Sequence, residues 1–150
     1  MEGEKVVATN RKARYEFHIG DRYEAGIALQ GTEVKSLRDG NASIQDAYCS
    51  IQKGEVVLNN SHIAPYRHGT HFNHDPERPR KLLLNKKEIA KLTKAVDQKG
   101  YTIIPLRLYF KRGLAKVEIG VARGKRQYDK RKDIADRDSK RRLDRVRKER

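Results

Sequence analysis

Apolar and polar residues alternate most regularly just past residue 100. In TIIPLRLYFK, Leu106, Leu108 and Phe110 face one way and Arg107, Tyr109 and Lys111 the other. After Arg112-Gly113, Ala115, Val117, Ile119 and Val121 alternate with Lys116, Glu118 and Gly120. A period of two on both sides of a Gly-containing turn predicts a β-hairpin with one buried face. SIQDAYCSIQ and EVVLNNSHIAPY flank Lys53-Gly54 and predict a second hairpin. YEFHIGDRYEAGIALQ has two apolar-rich pieces around Gly20-Asp21, which predicts a long bent strand or a strand pair.

The spacing becomes helical in two places. In GTEVKSLRDG, Thr32 is the expected cap, Val34 and Leu37 share a face, and Gly40 is the stop. In LLLNKKEIAKLTKAVDQKG, Asn85 and Glu88 form a capping-box pattern. Ile89, Leu92 and Val96 share the apolar face, Lys86, Lys87, Lys91 and Lys94 lie opposite, and Gly100 ends the segment. Residues 1–13 are polar and expected to be loose, and RHGTHFNHDPERPR reads as an exposed loop. The sum is a mainly β chain of about six strands with two or three accessory helices. Short connections favour antiparallel pairing, and a small, closed, OB-type barrel fits.

Charge adds a partner class. The net charge is +15 and the pI about 10.1. Residues 123–150 carry 14 Lys/Arg against 6 Asp/Glu, and the preceding body carries 21 against 14. Both parts favour a polyanion, through phosphate contacts and counterion release. The body, residues 1–122 with 1–9 as its loose start, is therefore expected to bind RNA, and residues 123–150 to form a separate basic tail. The tail has five apolar or aromatic residues (Tyr128, Ile134, Ala135, Leu143 and Val146) and builds no core. Its acids precede bases at i, i+4 in Asp133–Arg137, Asp136–Lys140, Asp138–Arg142 and Asp144–Lys148, at about 0.2–0.5 kcal/mol each. That is too little to overcome helix nucleation, so the tail is expected to be disordered when free and helical on a partner.

Several chemistries find little support. A single cysteine, Cys49, excludes an internal disulfide and reads as a buried strand residue. No apolar run suits a signal peptide or a membrane span, so a cytoplasmic protein is expected. GVARGKR is no phosphate loop: three residues separate Gly120 from Gly124, and Arg126 stands where Ser or Thr would hold magnesium. His68, His71 and His74 are spaced by three beside Asp75, but in a Gly/Pro loop, so no metal or only adventitious metal is expected. No spacing selects a nucleophile or an acid–base pair; neither enzyme nor cofactor is expected. Basic residues interleaved with aromatics are more informative, as in NRKARYEF (Asn10, Arg11, Lys12, Arg14, Tyr15). DPERPRKLLLNKK similarly gathers Arg78, Arg80, Lys81, Lys86 and Lys87.

NRKARYEF, YEAGIALQGTEVKSLRDG, IAPY, DPERPRKLLLN, GYTIIPL and KVEIGVARGKRQYDKR, in this order, resemble the small protein B family, the bacterial SsrA-binding proteins. The resemblance runs from Asn10 to Ile134. It implies an OB-type barrel that binds the tRNA-like domain of transfer-messenger RNA. It implies delivery of that RNA, with elongation factor Tu and GTP, to stalled ribosomes in trans-translation, as a monomer. The tail would enter the decoding centre and the empty mRNA channel. The RNA-facing residues it implies are Asn10, Arg11, Arg14, Tyr15, Glu33, Lys35, Arg38, Lys81, Leu83 and Asn85, with Lys116 and Lys125 as weaker members. On the ribosome it implies Lys125, Arg126, Tyr128, Asp129, Lys130 and Arg131, with Leu143 and Val146 as distal apolar candidates. A carboxylate among phosphates is unusual: Glu33 would accept hydrogen bonds from RNA or orient Lys35 and Arg38, unless it only caps a helix. The alternative reading is a ribosomal or other structural RNA-binding protein on the same barrel.

Overall fold

The computed structural model describes residues 4–68, 73–98 and 100–125. The elements, in chain order, are β1 (Lys5–Thr9), α1 (Arg11–Glu16), β2 (Phe17–Ile27), α2 (Gly31–Arg38), β3 (Ala42–Ser43), β4 (Tyr48–Gln52), β5 (Glu55–Asn59), β6 (His62–Ile63), β7 (Arg80–Leu83), α3 (Lys86–Val96), β8 (Tyr101–Lys111) and β9 (Leu114–Gly124). β8, β4, β5, β7, β2 and β9 are joined in sequence, and β9 pairs back onto β8. This ring of six antiparallel strands is the expected closed barrel. β1 adds to the edge of β8 beyond β4, and β3 and β6 form a separate two-stranded ribbon.

Both expected hairpins are present, and the backbone explains their tightness. Gln52 faces Glu55 across Lys53 (φ 50°) and Gly54 (φ 74°), and Lys111 faces Leu114 across Arg112 (φ 52°) and Gly113 (φ 77°). Two consecutive positive φ values match the right-handed twist of the strands. α3 starts at Asn85, whose side chain accepts from the Glu88 N–H at 2.8 Å while Glu88 accepts from the Asn85 N–H at 3.2 Å. Leu92 is buried, with Ile89 and Val96 packed beside it. The barrel interior is filled by Ala25, Ile27, Val56, Leu58, Leu82, Ile103, Leu108, Val117, Ile119 and neighbouring residues.

Four local expectations are corrected. Residues 5–9 are not loose: Val6, Ala8 and their neighbours ladder onto β8, and Arg11–Glu16 closes into a short helix. α2 is capped by Gln30, not Thr32; the Thr32 hydroxyl bonds His74 instead. The β8–β9 hairpin has two buried faces. A bulge between Pro105 and Arg107 shifts the strand phase, so Ile104 and Leu106 join Ala13 and Ala122 in a second cluster beneath α1. A bulge suits a strand-interior proline, which offers no N–H to a ladder. Tyr109, expected on the solvent side, is buried beneath the Arg107 guanidinium, 4.2 Å from its ring centre.

Candidate RNA-binding face

The pairing register places the outward side chains of four strands in rows. Leu83 (β7), Gly26 (β2), Lys116 (β9) and Tyr109 (β8) form one row. One step along lie Glu24, Glu118 and Arg107. Beyond these, Arg22 and α1 close a groove of about 700 Å³ lined by Arg11, Arg14, Tyr15, Ile19, Leu106 and Arg107 among others. The acids of this band are committed to cations. Glu118 lies 3.3 Å from Arg107 and 3.6 Å from Arg22, and Glu24 lies 3.2 Å from Lys111. A hydrogen bond from Tyr109, with help from Lys111, holds the Glu24 carboxyl below its usual range. Among the described residues no ion pair involves Arg11 or Arg14, and Tyr15 is exposed beside them. The groove therefore offers cations, an aromatic face and an apolar floor, the combination that suits phosphates and unstacked bases.

The expected site residues divide by burial. Arg11, Arg14 and Tyr15 share the groove; Leu83 and Lys116 share the row, with Lys81 two residues from Leu83 on the same face of β7. Leu83 is 52% exposed, unusual for a leucine amid charge, and Lys81 pairs with Glu55 at 3.0 Å. Asn85 is exposed but serves as the α3 cap. Lys35 and Arg38 are exposed on α2, outside the row; Lys35 Nζ lies 5.5 Å from the Tyr66 ring centre. The Lys125 N–H bonds the Glu16 carbonyl at 2.8 Å, at the end of α1. Arg126, Tyr128, Asp129, Lys130, Arg131, Leu143 and Val146 lie outside the described residues.

Asn10 and Glu33 are buried, so neither presents a free side chain to RNA. Asn10 Nδ2 donates to the Pro105 carbonyl at 2.9 Å and its N–H to the Leu106 carbonyl at 2.8 Å, filling the stretch of β8 edge between β4 and β1. Glu33 is fully buried. Its carboxylate accepts from the Gln30 N–H at 2.7 Å, from Arg78 Nη2 at 2.5 Å and from Arg80 Nε. Burial alone would raise this carboxyl, but the bonds from Arg78, Gln30 and Arg80 outweigh it and hold it below its usual range. Its acceptors are taken inside the protein, and it does not orient Lys35 or Arg38.

Arg80 is the centre of this network and is also fully buried. Nε donates to Glu33, Nη1 to the Ser61 carbonyl (3.1 Å) and hydroxyl (2.9 Å), and Nη2 to the Asp75 (3.4 Å) and Pro76 (3.1 Å) carbonyls. All five guanidinium donors are used. One side chain thus ties α2, the chain before β6 and the 75–76 turn to β7. Of the three ion-paired side chains, Glu33, Arg80 and Arg78, only Arg78 reaches solvent, with its side chain 31% exposed.

The histidine loop has a structural member. His74 is buried, with Nε2 on the Ile63 carbonyl and Nδ1 on the Thr32 hydroxyl, both at 2.8 Å. A carbonyl only accepts, so Nε2 donates to Ile63, and the Thr32 hydroxyl, which can donate or accept, partners Nδ1. Both ring nitrogens are occupied by protein groups, and His71 lies outside the described residues. Among the described residues no three His, Cys, Asp or Glu side chains gather as metal ligands, and no helix is long and apolar enough to cross a membrane.

Sequence reasoning left Arg22 and Arg107 out of the site. Arg107 was visible as a polar position in an alternating strand, but its placement beside Arg22 follows from the β2–β9–β8 ladders.

The comparisons with known proteins agree on one family. The family model described as SmpB protein matches residues 7–149. The chain belongs to the SmpB protein family. Curated relatives named SsrA-binding protein include one from Thermobifida fusca, 57% identical over 145 residues, covering 97% of this chain and 91% of the relative. Those from Geobacter sulfurreducens (55% over 141 residues; 94% and 92% covered) and Pelotomaculum thermopropionicum (54% over 146; 97% and 95%) are similar. Among solved structures, a chain described under "tmRNA-SmpB: a journey to the center of the bacterial ribosome" superposes with a TM-score of 0.67 at 48% identity. It covers 84% of this chain, which covers 92% of it. Family and fold are thereby settled together: the six-stranded ring is the SmpB barrel.

Proposed function

We propose that this protein binds the tRNA-like domain of transfer-messenger RNA and brings it to stalled ribosomes in trans-translation, as its family relatives' names and the ribosome-bound structural match suggest. The observation that supports this most directly is the basic groove under α1 running into the Lys116–Gly26–Leu83 row on one face of the barrel. Arg11, Arg14, Tyr15, Lys81, Leu83 and Lys116 make the contacts there, with Lys35, Arg38, Asn85 and Lys125 at its surroundings. Asn10 and Glu33 act by holding backbone and Arg78 in place. The tail from Lys125, through Arg126, Tyr128, Asp129, Lys130 and Arg131 to Leu143 and Val146, engages the decoding centre and mRNA channel. Elongation factor Tu with GTP meets the protein through the RNA. The protein works in the cytoplasm as a monomer, non-catalytically; a net charge of +15 opposes self-association.

The test is to sequence the RNA that copurifies after a stringent salt wash. Transfer-messenger RNA should dominate. Ribosomal RNA without it would favour a constitutive ribosomal protein on the same barrel. Cutting the chain after Gly124 should leave RNA binding largely intact and abolish ribosome rescue.

A further inference from the structure

α3 carries four lysines, and only one of them suits the helix. Lys86 and Lys87 are its first two residues, where the helix dipole disfavours a cation; Lys94, in the last turn, is the one the dipole favours. Lys87 and Lys91 are four apart and Lys91 and Lys94 three apart, so like charges stand one above another. A solvated helix face usually interleaves acids with its bases. The one acid of α3, Glu88, is used in the Asn85 cap. All four lysines are exposed, and among the described residues no hydrogen bond or ion pair engages any of them. Strand lysines differ: Lys81 pairs with Glu55 at 3.0 Å and Lys111 with Glu24 at 3.2 Å. Within the folded chain the α3 charges only repel one another, so their compensation must come from outside it.

The geometry narrows the chemistry of that partner. At about 100° and 1.5 Å per residue, Lys87, Lys91 and Lys94 fall within about 60° of one another and span about 10 Å of helix. Ile89, Leu92 and Val96 pack into the barrel core on the opposite side, so this stripe faces straight into solvent. The small Ala90 is exposed beside it, and no aromatic ring stands among the lysines. A straight row of cations without a stacking surface fits the backbone of a duplex, whose bases are paired and turned inward. The groove under α1, with Tyr15 and its apolar floor, is built differently. We propose that Lys87, Lys91 and Lys94 lie along the phosphates of a double-helical stem of the bound RNA. The stem belongs to the same tRNA-like domain, because Asn85, which caps α3, follows Leu83 of the row by two residues. This inference rests on the RNA-binding reading above and adds a second, backbone-reading surface to it.

The test uses the full chain and a transcript of the tRNA-like domain of transfer-messenger RNA. The variants are the triple Lys87→Gln/Lys91→Gln/Lys94→Gln, the corresponding triple Lys→Arg, and Lys53→Gln, which removes an exposed lysine of the β4–β5 turn. Gln and Arg keep the helix propensity of Lys. The triple Gln variant should keep or raise the thermal midpoint, weaken RNA binding at least tenfold and flatten its salt slope by about two to three units. The triple Arg variant should retain the wild-type slope. Hydroxyl-radical footprinting should show backbone protection of one paired stem that the triple Gln variant loses. A wild-type slope in the triple Gln variant, a change per lysine no greater than that of Lys53→Gln, or protection lost only at unpaired nucleotides would each overturn the stripe while leaving the RNA-binding reading standing. If the wild type itself does not bind this RNA, that reading falls and the stripe falls with it.

Discussion

Glu33→Ala should damage the fold first and RNA binding only through the fold. The substitution removes the acceptor for Arg80 Nε, for Arg78 Nη2 and for the Gln30 N–H at the start of α2. Arg80 has no exposed surface and no other carboxylate among the described residues pairs with it, so its charge would be left buried. Breaking one partner of a buried ion pair costs about 3–5 kcal/mol. Typical domains have only ~5–15 kcal/mol in total. At roughly 3–5 °C per kcal/mol for a chain of this size, the thermal midpoint should fall by ~10–25 °C. The assay is paired thermal and urea unfolding of wild type, Glu33→Ala, Arg80→Met and the double variant. The two single changes should be strongly non-additive, with a coupling of about 1–3 kcal/mol, since both act on one network. A midpoint within 3 °C of wild type, together with a large loss of RNA affinity, would refute this account and return Glu33 to direct contact with RNA.

Four further outcomes are expected. The folded Glu33 carboxyl lies below its ordinary value of 4.5, so its stabilisation is complete above that pH and is lost as pH falls through the folded value. The gap in urea midpoint between wild type and Glu33→Gln should therefore narrow from pH 6 to pH 3, and a constant gap would contradict it. Burial pushes the Cys49 thiol up to about 12, so Ellman's reagent at pH 8 should label the native protein only at its unfolding rate. Asn85→Asp should keep the α3 cap yet weaken RNA binding by adding a negative charge, whereas Asn85→Ala should cost ~1 kcal/mol in urea unfolding. Lys35→Ala should flatten the salt slope of RNA binding by about one unit or less, with no change in thermal midpoint.

Local pattern carried much of the fold and only part of the site. The two hairpins and α3 were legible because their signals are short-range: paired turn residues, strict alternation, and an Asn-x-x-Glu cap before an apolar face. The bulge at Pro105 was not, because a phase shift inside β8 becomes visible only when β9 and α1 lie against it. β1 was missed for a similar reason: KVVAT is too short to mark a strand alone and owes its ladder to β8. In the site, exposed cations and Leu83 stood out by type and motif. The roles of Asn10 and Glu33 did not, since a polar residue in a basic motif reads as a contact until its burial is known. Arg80 looked like one more member of a cationic cluster, whereas five donors spent inside the protein make it a core residue.

The Lys125–Glu16 hydrogen bond, set beside the two-sided pairing of β9, has a mechanical consequence. β9 is laddered to β2 along one edge and to β8 along the other, and the chain leaves its end at a point fixed to the last turn of α1. A pull on the following residues along the strand axis loads both ladders in shear, where many bonds resist at once. A sideways pull meets the Lys125 N–H bond first and then peels the pairs one by one. The barrel is therefore a stiff anchor in one direction and a compliant one across it.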